Sequence, residues 1–243
     1  MSALSKCFPK RRPAPRPPDF PVTARHAEFS IICSADDDVG RPTMDLLNLA
    51  LSAARRACDI SMEAVSSRMQ NGPFYPDVWP GEHYKLLAGV IAQLEPKQVI
   101  EIGTFTGLSA LAMLQTLSSG STLHTFDIIP WNKIPDSVLR ETDFEDDRLK
   151  QVVGDLSVAA VMDAHRDLLQ NADLIFVDGP KDGVFEDKWI AAIRAISLPK
   201  KPLMIFDDIR VWNMLRTWRE IEKPKLDMTS FGHWSGTGFV SWE

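Results

Sequence analysis

Residues 99–114, V-I-E-I-G-T-F-T-G-L-S-A-L-A-M-L, constrain the fold more than any other part of this 243-residue chain. A short β-branched run passes straight into an apolar helical pattern through a turn that holds Gly103 and Gly107. A strand ending at a helix N-terminus leaves backbone N–H groups pointing outward, and glycine there lets a ligand approach the main chain with no Cβ in the way. Such a turn is a nucleotide-type binding element of an α/β sheet.

After this turn the sequence alternates strand and helix. Apolar runs at 122–126, 151–153, 173–177 and 203–206 predict strands. Between and after them, helical spacing joins Val158, Val161, Met162 and Leu169, then Trp189, Ile193 and Ile196, then Val211, Met214, Leu215 and Trp218. Continuous apolar strands separated by helices make a parallel sheet covered on both faces. Residues 225–230 and 238–242 read as two further strands, and the connection between them is too short for a helical crossover, so they must pair antiparallel. The expected fold is α/β: a doubly wound, mostly parallel, seven-stranded sheet that closes with an antiparallel hairpin.

Upstream, Leu47, Ala50, Leu51, Ala54, Ala57 and Cys58 share a helical face with Thr43 as N-cap, predicting one long amphipathic helix over 44–69. The proline-rich stretch 71–80 predicts a loop and 82–94 a second helix, able to lie over a bound ligand or to cap the sheet. Three parts follow: a basic, proline-rich tail and irregular segment at 1–40, a helical cap at 41–95, and a binding domain at 96–243.

The acid inside the first strand narrows the ligand. Glu101 lies two residues before Gly103, and the glycines are spaced G-x-x-x-G rather than the G-x-G-x-x-G of dinucleotide folds. A carboxylate there would repel a pyrophosphate but suits a ligand with an ammonium and a sulfonium, such as S-adenosylmethionine (SAM). The segment E-I-G-T-F-T-G resembles the first motif of class I SAM-dependent methyltransferases, whose sheet is Rossmann-like and closes with an antiparallel hairpin. The resemblance implies that Glu101 orients the methionine ammonium and that Gly103, Thr104, Phe105, Thr106, Gly107 and Ser109 surround the cofactor.

In an open parallel sheet, ligands bind beyond the carboxyl ends of the strands. Each predicted parallel strand ends at or next to an acid: Glu101, Asp127, Asp155, Asp178, and Asp207 with Asp208. Asp127 is placed to accept ribose hydroxyls, and Gly154, Asp155 and Leu156 fall where methyltransferases contact adenine. D-x-x-K-D at 178–182, followed by the Asp207–Asp208 pair, looks like the cation-dependent O-methyltransferases of the catechol and caffeoyl-CoA type. That resemblance implies Mg²⁺ ligands at Asp178, Asp207 and Asp208 and a general base at Lys181, with Asp178 serving cofactor, metal and catalysis. Here Asp208 stands where that family has asparagine, and Gly179-Pro180 stiffens the turn. Methyl transfer is an in-line displacement, so an acceptor hydroxyl must be ionised and held close; a hard cation and a lysine can do both.

The expected function is therefore transfer of a methyl group from SAM to a hydroxyl oxygen of a small molecule, phenolic or another secondary metabolite. Alternatives are a metal-independent O- or N-methyltransferase, an NAD(P)-dependent oxidoreductase and a non-catalytic SAM-binding protein. Trp131, Trp212, His233 and Trp234 are candidates for an acceptor wall; His124 and His165 read as structural. A net charge of −6 argues against a nucleic-acid groove. Cys7, Cys33 and Cys58 suggest neither disulfide framework nor zinc site, and a cytoplasmic protein without a membrane span is expected. The helix at 44–69 doubles as a candidate homodimer contact.

Overall fold

The computed structural model describes residues 40–70, 75–80, 82–211 and 213–243. Cys7, Cys33, Trp212, nearly all of the expected tail and part of the 71–80 loop lie outside the described residues.

Helix α1 (Met44–Cys58) opens where expected, with Thr43 Oγ1 accepting from the Leu46 amide at 3.2 Å. It does not run on to residue 69. The chain turns at Asp59–Ser61 and restarts as the one-turn helix α2 (Glu63–Ser66). On an unbroken helix Met62 would lie about 140° round from Ala57; the break lets Met62 and Val65 both enter the core. The buried face is also displaced from the expected one, to Leu46, Ala50, Ala53, Ala54 and Ala57, while Leu51 is 59% exposed. Small residues on that face let helix α3 (His83–Leu94) approach closely: a Cβ on Gly89 would stand 2.4 Å from the Ala53 carbonyl oxygen.

The sheet has seven strands: β1 (Gln98–Ile102), β2 (Thr122–Asp127), β3 (Leu149–Val153), β4 (Leu174–Val177), β5 (Leu203–Asp207), β6 (Lys225–Asp227) and β7 (Thr237–Ser241). Their spatial order is β3-β2-β1-β4-β5-β7-β6. The first five are parallel, and β7 inserts antiparallel between β5 and β6. The strand expected at 225–230 stops at Asp227, whose Oδ1 accepts from the Thr229 amide and hydroxyl, and a 3₁₀ turn over Thr229–Phe231 follows.

Alternate residues of the buried strands enter two separate cores, as the pleat requires. Val99, Leu123, Leu174, Phe176, Ile205 and Phe239 face α1, α3 and α4 (Leu108–Leu114). Ile100, Phe126, Ile175, Val177, Phe206 and Val240 face the helices that follow β3, β4 and β5: α5 (Ala159–Ala164), α6 (Arg166–Gln170), α7 (Phe185–Arg194) and α8 (Met214–Glu220). Among the described residues no helix is long and apolar enough to cross a membrane.

Candidate active site

The ladders continue beyond the strands and align their carboxyl ends. The amides of Gly103, Gly154 and Asp178 each donate at 2.8 Å, to the carbonyls of Phe126, Asp127 and Ile102 respectively. The expected site residues therefore gather along one edge. Asp127 is tied to the glycine turn: its Oδ2 accepts from the Phe105 amide at 2.9 Å and its Oδ1 from the Ile129 amide at 3.0 Å. Each oxygen keeps a lone pair for a ligand hydroxyl.

The turn glycines are required by the protein itself as well as by any ligand. Gly103 has φ +103°, and a Cβ there would stand 2.1 Å from the Asp178 carbonyl oxygen; Gly107 has φ +88° and would strike Leu139. Thr104 turns inward, its Oγ1 2.7 Å from Thr125 Oγ1 and accepting from Gln151 Nε2 at 3.2 Å. Phe105 points outward and is 68% exposed. The Thr106 carbonyl accepts from the Val138 amide at 2.9 Å. Beyond β3, Asp155 Oδ1 accepts from the Ser157 amide at 2.8 Å, and the Leu156 side chain is buried in the core, so Leu156 can meet a ligand only through its main chain. Close to the turn, Arg68 after α2 makes a bidentate pair with Asp143 at 2.6 and 2.9 Å.

Glu101 lies at the floor. It is fully buried, and neither carboxylate oxygen completes a hydrogen bond among the described residues. Burial raises its pKa to about 8, against the opposing pull of the Ser109 and Thr125 hydroxyls. An orphaned buried carboxylate is costly unless a cation arrives to pair with it.

Beside it, Asp178, Asp207 and Asp208 meet as predicted, but with the Lys181 ammonium among them. Lys181 Nζ contacts Asp178 Oδ1 and lies 3.1 Å from Asp208 Oδ2 and 3.8 Å from Asp207 Oδ2. Burial favours the neutral amine, yet the carboxylates of Asp178, Asp207 and Asp208 outweigh it and raise the lysine pKa. Burial and the Asp207 charge raise that of Asp178. Lys181 itself has φ +56°, and its loop is pinned by the buried Glu186, whose Oε1 and Oε2 accept from the amides of Lys181 at 2.8 Å and Gly183 at 3.0 Å. Asp182 accepts from the amides of Val184 and Phe185, both at 2.8 Å, and so serves to start α7.

The opposite side of the Asp207–Asp208 pair is built from imidazoles. His83 Nδ1 lies 3.4 Å from Asp207 Oδ1. His233 Nδ1 lies 3.3 Å from Asp208 Oδ1 and 3.8 Å from Asp207 Oδ1, and its Nε2 is 3.0 Å from Glu82 Oε2. Burial lowers the His233 pKa, but hydrogen bonds with Asp208 and Glu82 dominate and lift it to about 10. For Asp208, burial is likewise outweighed, by His233, Lys181 and Ser235, which hold it far below the usual carboxylate range.

Sequence reasoning missed Glu82, His83 and Glu186. The first two were visible as polar residues opening the helix before the first strand, but only packing brings them to the acids. His233 was a candidate wall residue and lies inside the cluster. Trp234 beside it is 71% exposed, its ring 5.7 Å from that of His233. Trp131 instead stacks on Phe144 at 5.3 Å near β3. His124 and His165 are structural, bonded to Gln98 and to the Val161 carbonyl.

Residues 100–209 match the family described as Methyltransferase domain. The chain also superposes on the S-adenosylhomocysteine-bound methyltransferase PaMTH1 of Podospora anserina, with TM-score 0.51 and 17% identity over 81% of this chain and 88% of that one. More distant likenesses include the O-methyltransferase TomG of Streptomyces achromogenes (TM-score 0.49, 15% identity, 82% and 99% coverage). Another is a putative O-methyltransferase from Klebsiella pneumoniae (0.44, 18%, 87% and 91%). No curated protein matches the sequence. The matched domain and the sheet order together place a methyltransferase domain over residues 100–209, on a fold shared with solved methyltransferases.

Proposed function

We propose that the protein methylates a hydroxyl oxygen of a small molecule, phenolic or another secondary metabolite, where the Glu101 floor meets the acid cluster. The observation that supports this best is the pairing of a fully buried, unpartnered carboxylate at Glu101 with a lysine held among three carboxylates at the same sheet edge. Glu101 would pair with the SAM ammonium. Gly103, Thr104, Phe105, Thr106, Gly107 and Ser109 would surround its methionine part, with Asp178 alongside. Asp127 would accept the ribose hydroxyls, and Gly154, Asp155 and the Leu156 main chain would border adenine. Bound SAM supplies a methyl group on a sulfonium, ready for attack by an oxyanion.

The chain's own residues supply the proton chemistry. Lys181 is kept protonated by Asp178, Asp207 and Asp208, so it becomes a base only when those carboxylates are neutralised from another side. A divalent cation suits that purpose: Asp178, Asp207 and Asp208 would hold it, and it would stabilise the ionised acceptor. The fit rests on the donor set, in which Asp178 Oδ1, Asp207 Oδ2 and Asp208 Oδ2 converge on the one point that the Lys181 ammonium holds. The competing metal-independent reading takes Lys181 as the sole countercharge. A small acceptor, a cytoplasmic location and a dimer contact through Met44 and Leu51 on α1 complete the proposal; light scattering tests the last.

The test is methyl transfer from labelled SAM to a panel of phenols, alcohols and amines, with and without thorough chelation. Transfer to oxygen lost on chelation supports the reading in full. Transfer that survives chelation removes the cation, and transfer to amines alone removes the oxygen acceptor.

A further inference from the structure

The cluster around Asp207 and Asp208 has two chemically distinct sides. The Oδ2 atoms of both acids face the Lys181 ammonium, together with Asp178, which makes a hard, charge-paired side. The Oδ1 atoms face nitrogen: His83 Nδ1 at 3.4 Å from Asp207, and His233 Nδ1 at 3.3 Å from Asp208 and 3.8 Å from Asp207. We infer that this second side is a binding site for an imidazole-preferring divalent transition metal, of the Zn²⁺ or Co²⁺ kind, formed by Asp207, Asp208 and His233 with His83 adjoining. The inference deepens the divalent-cation part of the proposed function and rests on that reading of the Asp207–Asp208 edge.

Four observations carry it. First, the spacing is right: an ion with bonds of about 2.0–2.1 Å in tetrahedral geometry sets its ligand atoms roughly 3.4 Å apart, and the separations of 3.3, 3.4 and 3.8 Å need little adjustment. The ligand atoms of Asp207, Asp208 and His233 all lie within 4.8 Å of one another, as do those of His83, Asp178 and Asp207. Second, the groups are poorly satisfied without an ion. His83 is only 4% exposed, and neither of its ring nitrogens, nor Asp207 Oδ1, completes a hydrogen bond among the described residues.

Third, His233 is oriented from behind. Glu82 Oε2 accepts from Nε2–H at 3.0 Å, which holds the ring with Nδ1 directed at the two aspartates, where an ion would take the place of the Nδ1 proton. A carboxylate behind a ligating histidine is the usual outer support of a metal-bound imidazole. Ser235 Oγ touches both His233 Nδ1 and Asp208 Oδ1, closing the site from the hairpin side. Fourth, the donor chemistry discriminates. Mg²⁺ prefers oxygen alone and keeps its waters, whereas mixed imidazole and carboxylate sets favour borderline transition metals.

Calorimetric titration of the metal-stripped protein with Mg²⁺, Mn²⁺, Co²⁺ and Zn²⁺, each alone and without SAM, tests this; Co²⁺ also reports imidazole ligation through its visible absorption. Expected are one Co²⁺ or Zn²⁺ per chain, bound roughly tenfold or more tighter than Mg²⁺, and a similar loss of Co²⁺ affinity in His233→Ala. Thermal unfolding confirms that this variant is folded. His233→Gln, which keeps bulk at the same place, should lose the Co²⁺ band as well. Mg²⁺ binding as tight as Co²⁺ and unchanged in His233→Ala would overturn the inference while leaving the cation-assisted proposal intact. If none of the four ions binds, both fall. SAM titration on the same samples reads the methyltransferase site independently.

Discussion

His233 Nε2 lies 3.0 Å from Glu82 Oε2, so the connection between β6 and β7 is fastened to the residue that caps α3, a helix preceding the whole sheet. Both side chains are largely buried, with exposures of 17% and 8%. Breaking a buried charge pair from one side leaves the other charge without compensation, which costs about 3–5 kcal/mol in full burial. Glu82→Ala should therefore lower the unfolding free energy by about 2–4 kcal/mol, while Glu82→Gln, still able to accept from Nε2–H, loses less. Denaturant titration reads both; equal midpoints for Glu82→Ala and the parent protein would show that the tie contributes nothing.

SAM binding should depend on pH through Glu101. Its carboxyl has a pKa of about 8 because burial disfavours the charged form. A cationic ligand group needs the ionised form, so below pH 8 binding must release a proton. Affinity should then fall as pH drops from 8 to 6, by up to about tenfold per unit, and level off above 8. Glu101→Gln should bind more weakly and with a flatter profile. Calorimetry with S-adenosylhomocysteine in buffers of different ionisation enthalpy counts the proton directly; no proton release at pH 7 would refute the assignment.

Lys181→Ala should reduce kcat by about 10²–10⁴, the range of a lost general base, with SAM affinity changed by less than about threefold. The same substitution leaves Asp178, Asp207 and Asp208 without their ammonium, so activity should become more sensitive to added divalent cation. Steady-state kinetics with a varied cation concentration distinguishes this from simple misfolding.

Gly103→Ala tests the turn. A Cβ would stand 2.1 Å from the Asp178 carbonyl oxygen, and φ is +103°, so both contact and conformation oppose it. A stability loss of about 2 kcal/mol or more is expected, together with impaired SAM binding, since the displaced backbone carries Asp178. Wild-type melting temperature and affinity would show that the turn relaxes freely.

Local pattern made the sheet, its parallel run, the closing hairpin and the row of acids at the strand ends legible, because strand burial on two faces writes continuous apolar runs and the strand–turn–helix units place their acids by spacing alone. The single helix that periodicity predicts over 44–69 breaks for a physical reason: periodicity records which residues are apolar, and Met62 and Val65 satisfy it only after the chain changes direction. The Leu51 face failed likewise, since Ala53 and Gly89 decide which side of α1 can approach α3.

The sequence by itself determined that Glu101, Asp127, Asp178, Asp207 and Asp208 would lie at the carboxyl ends of parallel strands of one sheet, since each acid closes an apolar run that precedes a helix. Only the tertiary structure decided what stands opposite them. The antiparallel insertion of β7 carries His233 back to the end of β5, and the packing of α3 against α1 delivers Glu82 and His83 to the same place, across more than 120 residues of intervening chain. No local signal encodes such a meeting, because it is set by which faces exclude water together rather than by any spacing within a segment.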